Sequence, residues 1–126
     1  MVDNRTKVKK NILDKLDKFK KDVIAMDADA KVILFGSQAT GKAGVESDID
    51  VCVISENFGK DIFEEELLLK RMADKIDYLI EPVPMNSVDF NDKYSTLAFE
   101  VKRVGKSYPM VNDTVRRSET NRKMIL

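Results

Sequence analysis

Apolar side chains at Val8, Ile12, Leu16, Phe19 and Val23 recur every three or four residues, with lysines and aspartates between them. That period puts one apolar stripe on a helix and leaves the rest to solvent, so an amphipathic first helix is expected. Asp27-Ala28-Asp29-Ala30 ends the pattern. Lys31–Phe35 follows as an unbroken run of β-branched and large apolar residues, the signature of a strand. Gly36 through Glu46 holds three of the five glycines and reads as a turn, and Asp48–Ser55 as a second strand. After the turn Glu56-Asn57-Phe58-Gly59, Asp61 can cap a helix that buries Ile62, Leu69, Met72, Ala73 and Ile76. Glu64, Glu65 and Glu66 stand in its first turns, where the helix dipole favours anions, and Lys70 and Arg71 come later. Tyr78–Met85 reads as a third strand. Pro82 and Pro84 cannot donate to a ladder, which restricts that strand to an edge or a short paired stretch. Ser95 can cap a short helix carrying Leu97, Val101 and Val104 inward, with Phe99 partly so, and Gly105 ends it. Tyr108–Val111 adds a last short strand. The order is one α/β (α+β) unit, with residues 1–111 as the domain and the polar, net basic residues 112–126 as a mobile tail or a docking arm.

Composition narrows the chemistry more than the fold. With 126 residues there is material for one modest core. The 22 basic and 22 acidic side chains cancel, so no dedicated DNA-binding surface is evident, local patches aside. There is no histidine, which removes Ser-His and Cys-His catalysis and the usual zinc sites together. The single cysteine, Cys52, lies in an apolar strand pattern and reads as a small buried hydrophobe. No apolar stretch suits a membrane span or a secretion signal, so a cytoplasmic protein with no membrane partner is expected.

The segment 36–50 carries the candidate chemistry. Gly36-Ser-Gln-Ala-Thr-Gly41-Lys42 has the glycine and lysine spacing of a phosphate-binding P-loop and follows a strand, as that motif requires. Ala43 then stands where a P-loop needs a hydroxyl for Mg²⁺, and a new strand begins too soon for the P-loop helix. The other reading puts the metal ligands on the following strand. Residues two apart on a strand share a face, so Asp48 and Asp50 present two carboxylates side by side. Such hard oxygen ligands suit Mg²⁺, and a pair can bridge two ions for in-line displacement at phosphorus. Gly36 lets the backbone approach a triphosphate, and Ser37 and nearby amides can bond its oxygens. Each element alone is common; the two in this order, with 10 residues between Ser37 and Asp48, are specific.

Phe35-Gly36-Ser37-x-x-x-Gly41 followed by Ser47-Asp48-Ile49-Asp50-Val51 resembles the signature of the minimal nucleotidyltransferases of the DNA polymerase β-like superfamily. The resemblance implies a nucleotidyltransferase-like fold, a small mixed β-sheet flanked by helices. It implies that Asp48 and Asp50 bind Mg²⁺, with two ions expected, and that Gly36 and Ser37 hold the phosphates of ATP. A third acidic residue is implied on the strand after the long helix. Glu81 and Asp77 both qualify; Glu81, in Ile-Glu-Pro-Val-Pro, is favoured as metal ligand and activator of the acceptor hydroxyl. Many relatives have an arginine where this chain has Thr40, and Lys42 can partly replace it in nucleotide binding.

With no room for a second domain to select the acceptor, the resemblance implies a helical HEPN-type partner. The chain would act on it as an antitoxin, transferring AMP from ATP to a hydroxyl on a protein or nucleic acid. A non-catalytic nucleotide-binding module that neutralises its partner by contact is the alternative, and edge strands leave a homo-oligomer open.

Overall fold

The computed structural model describes residues 8–44, 46–92 and 95–108, with side chains described as far as Gly105. Helix α1 spans Lys10–Met26 and buries Ile12, Leu16, Phe19 and Val23; Val8, just ahead of it, is buried with them. Strand β1 (Lys31–Phe35), the one-turn helix α2 (Ser37–Thr40) and strand β2 (Ile49–Ile54) follow. Helix α3 covers Ile62–Asp74, strand β3 Ile80–Met85, the one-turn helix α4 Ser87–Phe90, helix α5 Thr96–Val104 and strand β4 Lys106–Tyr108. The four strands form one mixed sheet in the order β3-β2-β1-β4. β1 runs antiparallel to β2 and β4, and β2 runs parallel to β3. The mixed sheet flanked by helices is the expected one.

Alternation along the strands separates two faces. Val32, Leu34, Ile49, Val51, Val53 and Ile80 point to one side and make a core with α1, Leu69 and Ala73 of α3. Phe35, Cys52, Ile54 and Met85 point to the other and meet Ala98 and Val101 of α5. Because helices cover both faces, β2 reads as a nearly continuous apolar run rather than an alternating one. Asp50 is the exception in it.

The caps explain where the helices start. The Asp61 carboxylate accepts the Glu64 N–H at 3.2 Å, and the Ser95 hydroxyl accepts the Ala98 N–H at 3.1 Å, both as the sequence suggests. Glu65 does more than favour the dipole: its carboxylate accepts the N–H groups of Gly59, Lys60 and Asp61 and fixes the loop before α3. Gly105 ends α5 where the helix touches β1. A side chain there would meet the Val101 carbonyl oxygen at 2.2 Å and Ile33 Cγ2 at 2.6 Å.

Four details differ from the sequence reading. Ile62 is 53% exposed, because it opens α3 beside the cap before the helix has reached the sheet. Phe99 is 65% exposed; the inward stripe of α5 is Leu97, Ala98, Val101 and Val104. Helix α2 stands inside what read as a plain turn, and α4, in a stretch given no reading from the sequence, is capped by Asn86, whose side chain accepts the Asp89 N–H at 2.8 Å. β4 begins at Lys106, directly after Gly105. Residues 109–111 of the expected last strand, and the tail 112–126, lie outside the described residues.

The prolines of β3 have a specific placement. Ile49 and Ser55 of the β2 chain donate to the carbonyls of Leu79 and Met85, so odd-numbered residues of β3 face β2. Even-numbered ones face outward. Pro82 and Pro84 are even, and the ammonium of Lys70 bonds the outward carbonyls of Tyr78 and Ile80, both at 2.8 Å. This border of the sheet therefore lacks two donors and has two acceptors capped.

Candidate active site

The site lies at one end of the α5-side face, beyond the reach of α5. In the parallel pairing of β2 and β3, Asp50 stands directly opposite Glu81. In the antiparallel pairing with β1, Asp50 stands opposite Phe35, whose successor is Gly36. Asp48 is exposed immediately ahead of β2. Three sequence-distant segments thus bring Gly36, Asp50 and Glu81 into one corner of the sheet.

Gly36 is required there on two counts. Its φ of +73° is one that L side chains rarely adopt, and a Cβ at this position would lie 2.3 Å from Asp50 Oδ2. The space where a side chain would stand holds the Asp50 carboxylate. Burial pushes the Asp50 carboxyl above its usual range, and the negative charges of Asp48 and Glu81 push it further the same way. Three carboxylates that repel one another in this manner form a locus that a cation would relieve. Their oxygens are hard donors of the type Mg²⁺ takes. Among the described residues, however, no three such side chains converge closely enough to grip an ion together as they stand.

Glu81 is engaged elsewhere. Its Oε1 lies 3.2 Å from the Lys70 ammonium, which also pairs with Asp74 at 3.2 Å. Burial alone would pull the Lys70 pKa down, but its bonds to Glu81 and Asp74 outweigh that and raise it. Asp77, the other candidate for the third carboxylate, sits in a different environment. Its Oδ2 lies 2.5 Å from the Lys15 ammonium on α1, and its Oδ1 accepts the Leu79 N–H at 2.8 Å. The Lys15 bond first, and the Leu79 bond after it, hold the Asp77 carboxyl below the usual range despite partial burial. Asp77 ties α1 to the turn between α3 and β3.

The phosphate-side residues form a compact loop. Ser37 begins α2 and its carbonyl accepts the Lys42 N–H at 3.1 Å. The same carbonyl accepts the Thr40 hydroxyl at 3.2 Å, so Thr40 serves the turn of its own helix. Lys42 is exposed, and its backbone rather than its ammonium is what meets Ser37. Gln38 is buried, and its amide donates to the Ser47 carbonyl at 3.3 Å, which fastens α2 to the segment leading into Asp48.

The nucleotidyltransferase domain family matches residues 16–104, most of the chain and every residue named above from Gly36 to Glu81. The chain belongs to this family. Nucleotidyl transfer is therefore its general activity, and it is a transferase. A Methanocaldococcus jannaschii protein bearing the name "Putative protein adenylyltransferase" is 36% identical over 77 residues, covering 57% of this chain and 77% of its own length. A crystal structure described as "a putative nucleotidyltransferase from Sulfolobus solfataricus" superposes with a TM-score of 0.54 at 18% identity. It covers 63% of this chain and 70% of that one, and it shows the same fold. Among the described residues, no helix of this nucleotidyltransferase domain is long and apolar enough to cross a membrane.

Sequence reasoning missed Lys70 and Gln38. Lys70 read as a late-helix cation suited to the dipole, since nothing in sequence spacing shows that it reaches 11 residues onward to Glu81. Gln38 carried a weak signal: a polar residue between the two turn glycines whose burial only the folded loop creates.

Proposed function

We propose that the chain is a Mg²⁺-dependent nucleotidyltransferase that moves AMP from ATP to a hydroxyl of a protein acceptor. The placement of Asp50 opposite Glu81, with Asp48 close enough to raise the Asp50 carboxyl, carries this reading. Asp48, Asp50 and Glu81 would hold Mg²⁺, which neutralises charge on the transferring phosphoryl group. Gly36 and Ser37 approach the triphosphate with backbone amides and a hydroxyl, and Lys42 adds a cation from the far end of the same loop. Glu81 accepts the proton of the attacking hydroxyl as the new oxygen–phosphorus bond forms and pyrophosphate leaves. The protein acceptor is suggested by the printed name of the Methanocaldococcus jannaschii relative.

The resemblance to minimal nucleotidyltransferases supports a helical HEPN-type protein as the acceptor and an antitoxin role for this chain. A contact-only antitoxin is the second reading. Thr40, which bonds its own helix and brings no cation to the phosphates, is the observation that favours it. Incubation with α-labelled ATP, Mg²⁺ and the product of the neighbouring gene separates the two. Label on the partner that disappears with Asp48→Asn and Asp50→Asn together supports transfer. Neutralisation by that double variant with no label ever transferred overturns it.

A further inference from the structure

The Lys70 ammonium sits at the centre of four contacts. Two are to the outward carbonyls of Tyr78 and Ile80 at 2.8 Å, and two to the carboxylates of Asp74 and Glu81 at 3.2 Å. The two carbonyls lie along the sheet border, and Asp74 is one turn onward on α3, the helix that carries Lys70. The fourth reaches the residue that stands opposite Asp50 and repels it. A lysine that only capped carbonyls would be complete without Glu81. Among the described residues, Glu81 is the one carboxylate of the three with a cation at hand, and the three do not converge on a common point.

We infer that Lys70 is a latch: its ion pair holds Glu81 against the sheet border and away from Asp48 and Asp50, and the third carboxylate joins them only when a divalent cation outcompetes the ammonium. Release is cheap because Lys70 loses one partner of four. The carbonyls of Tyr78 and Ile80 and the Asp74 carboxylate keep it in place. The pair is also only part-buried, with Lys70 and Glu81 side chains 31% and 48% exposed, so its strength is modest. A chain built this way keeps Glu81 from converging fully on Asp48 and Asp50 until metal arrives. Lys70 is a positioning residue here and touches no substrate.

The inference rests on the metal site proposed above, and direct metal binding tests the two separately. Mn²⁺ is titrated into the full chain and the free ion is followed by electron paramagnetic resonance. Lys70→Met should tighten Mn²⁺ binding by about two- to fivefold, the equivalent of an exposed ion pair removed. In a Glu81→Gln background the same substitution should change nothing, because no latch remains to release. Equal tightening in both backgrounds would mean a plain through-space charge effect and would overturn the latch, as would unchanged or weaker binding by Lys70→Met. Should Lys70→Met lose its fold, Lys70→Gln can still bond the two carbonyls without charge, and it carries the same expectation. If Asp50→Asn leaves the affinity of the wild-type chain untouched, the metal-site reading fails and the latch with it.

Discussion

The two faces of the sheet are made by alternate residues of the same strands, yet they do opposite work. On one, Leu34, Val51, Ile80 and their neighbours are sealed beneath α1 and α3. On the other, α5 covers Phe35, Cys52, Ile54 and Met85 but stops short of Asp50 and Glu81. The closed face supplies stability. The half-covered face leaves a corner where like charges are forced together, at a cost in stability. A one-residue step along β2, from Val51 to Asp50, separates structural from functional requirements.

Substitutions on the two faces should have distinct effects. Phe19→Ala, deep in the closed face, should lower unfolding stability by about 3–5 kcal/mol in a denaturant titration, with transfer per folded molecule unchanged. Gly36→Ala acts on the other face. Its Cβ has no space beside Asp50 and its φ is unfavourable, so activity should fall about a hundredfold by labelled-ATP assay. The accompanying loss of stability should be only about 1–2 kcal/mol, from the strained backbone.

Asp77→Asn should lower stability by about 1–2 kcal/mol through the lost bond to Lys15 and leave Mn²⁺ affinity unchanged. Its pH dependence has a definite sign. The folded state holds the Asp77 carboxyl below its unfolded value, so its contribution is present at neutral pH and is lost as pH falls through the folded value. Asp50 has the opposite sign. Its carboxyl is raised in the folded state, so the stability associated with its protonated form is lost as pH rises through the folded value. Asp50→Asn should therefore melt higher than the wild type at pH 7, by about 1 kcal/mol or less. That gain should vanish once the pH falls below the ordinary carboxylate range. A thermal melt of both variants across pH 3–8 checks the pair, and parallel pH profiles would show that the two carboxylates are not in contrasting environments.

Much of this division could be seen in the sequence, and the reasons are local. The stripe from Val8 to Val23 has a helical period, so α1 follows from spacing; Pro82 and Pro84 allowed an edge or a short paired stretch, and the sheet order places β3 at the edge. The Gly36-Ser37 turn and the Asp48, Asp50 pair were visible as a motif. Which acidic residue faces Asp50 was not. Asp77 and Glu81 are four residues apart, and only the register of β2 on β3 sets Glu81 beside Asp50 while Lys15, 62 residues earlier, claims Asp77. The exposure of Ile62 and Phe99 was also hidden, because a helical stripe says which residues share a face but not where along it the neighbouring layer begins.

The prolines of β3 carry one more consequence. A border without donors at Pro82 and Pro84, and with the Tyr78 and Ile80 carbonyls held by Lys70, offers an incoming strand no ladder to grow on. The sheet is a template with one blank margin. Among the described residues the other border is β4, three strands away from Glu81, so a segment extending the sheet there would not compete with the carboxylate corner for the same ground.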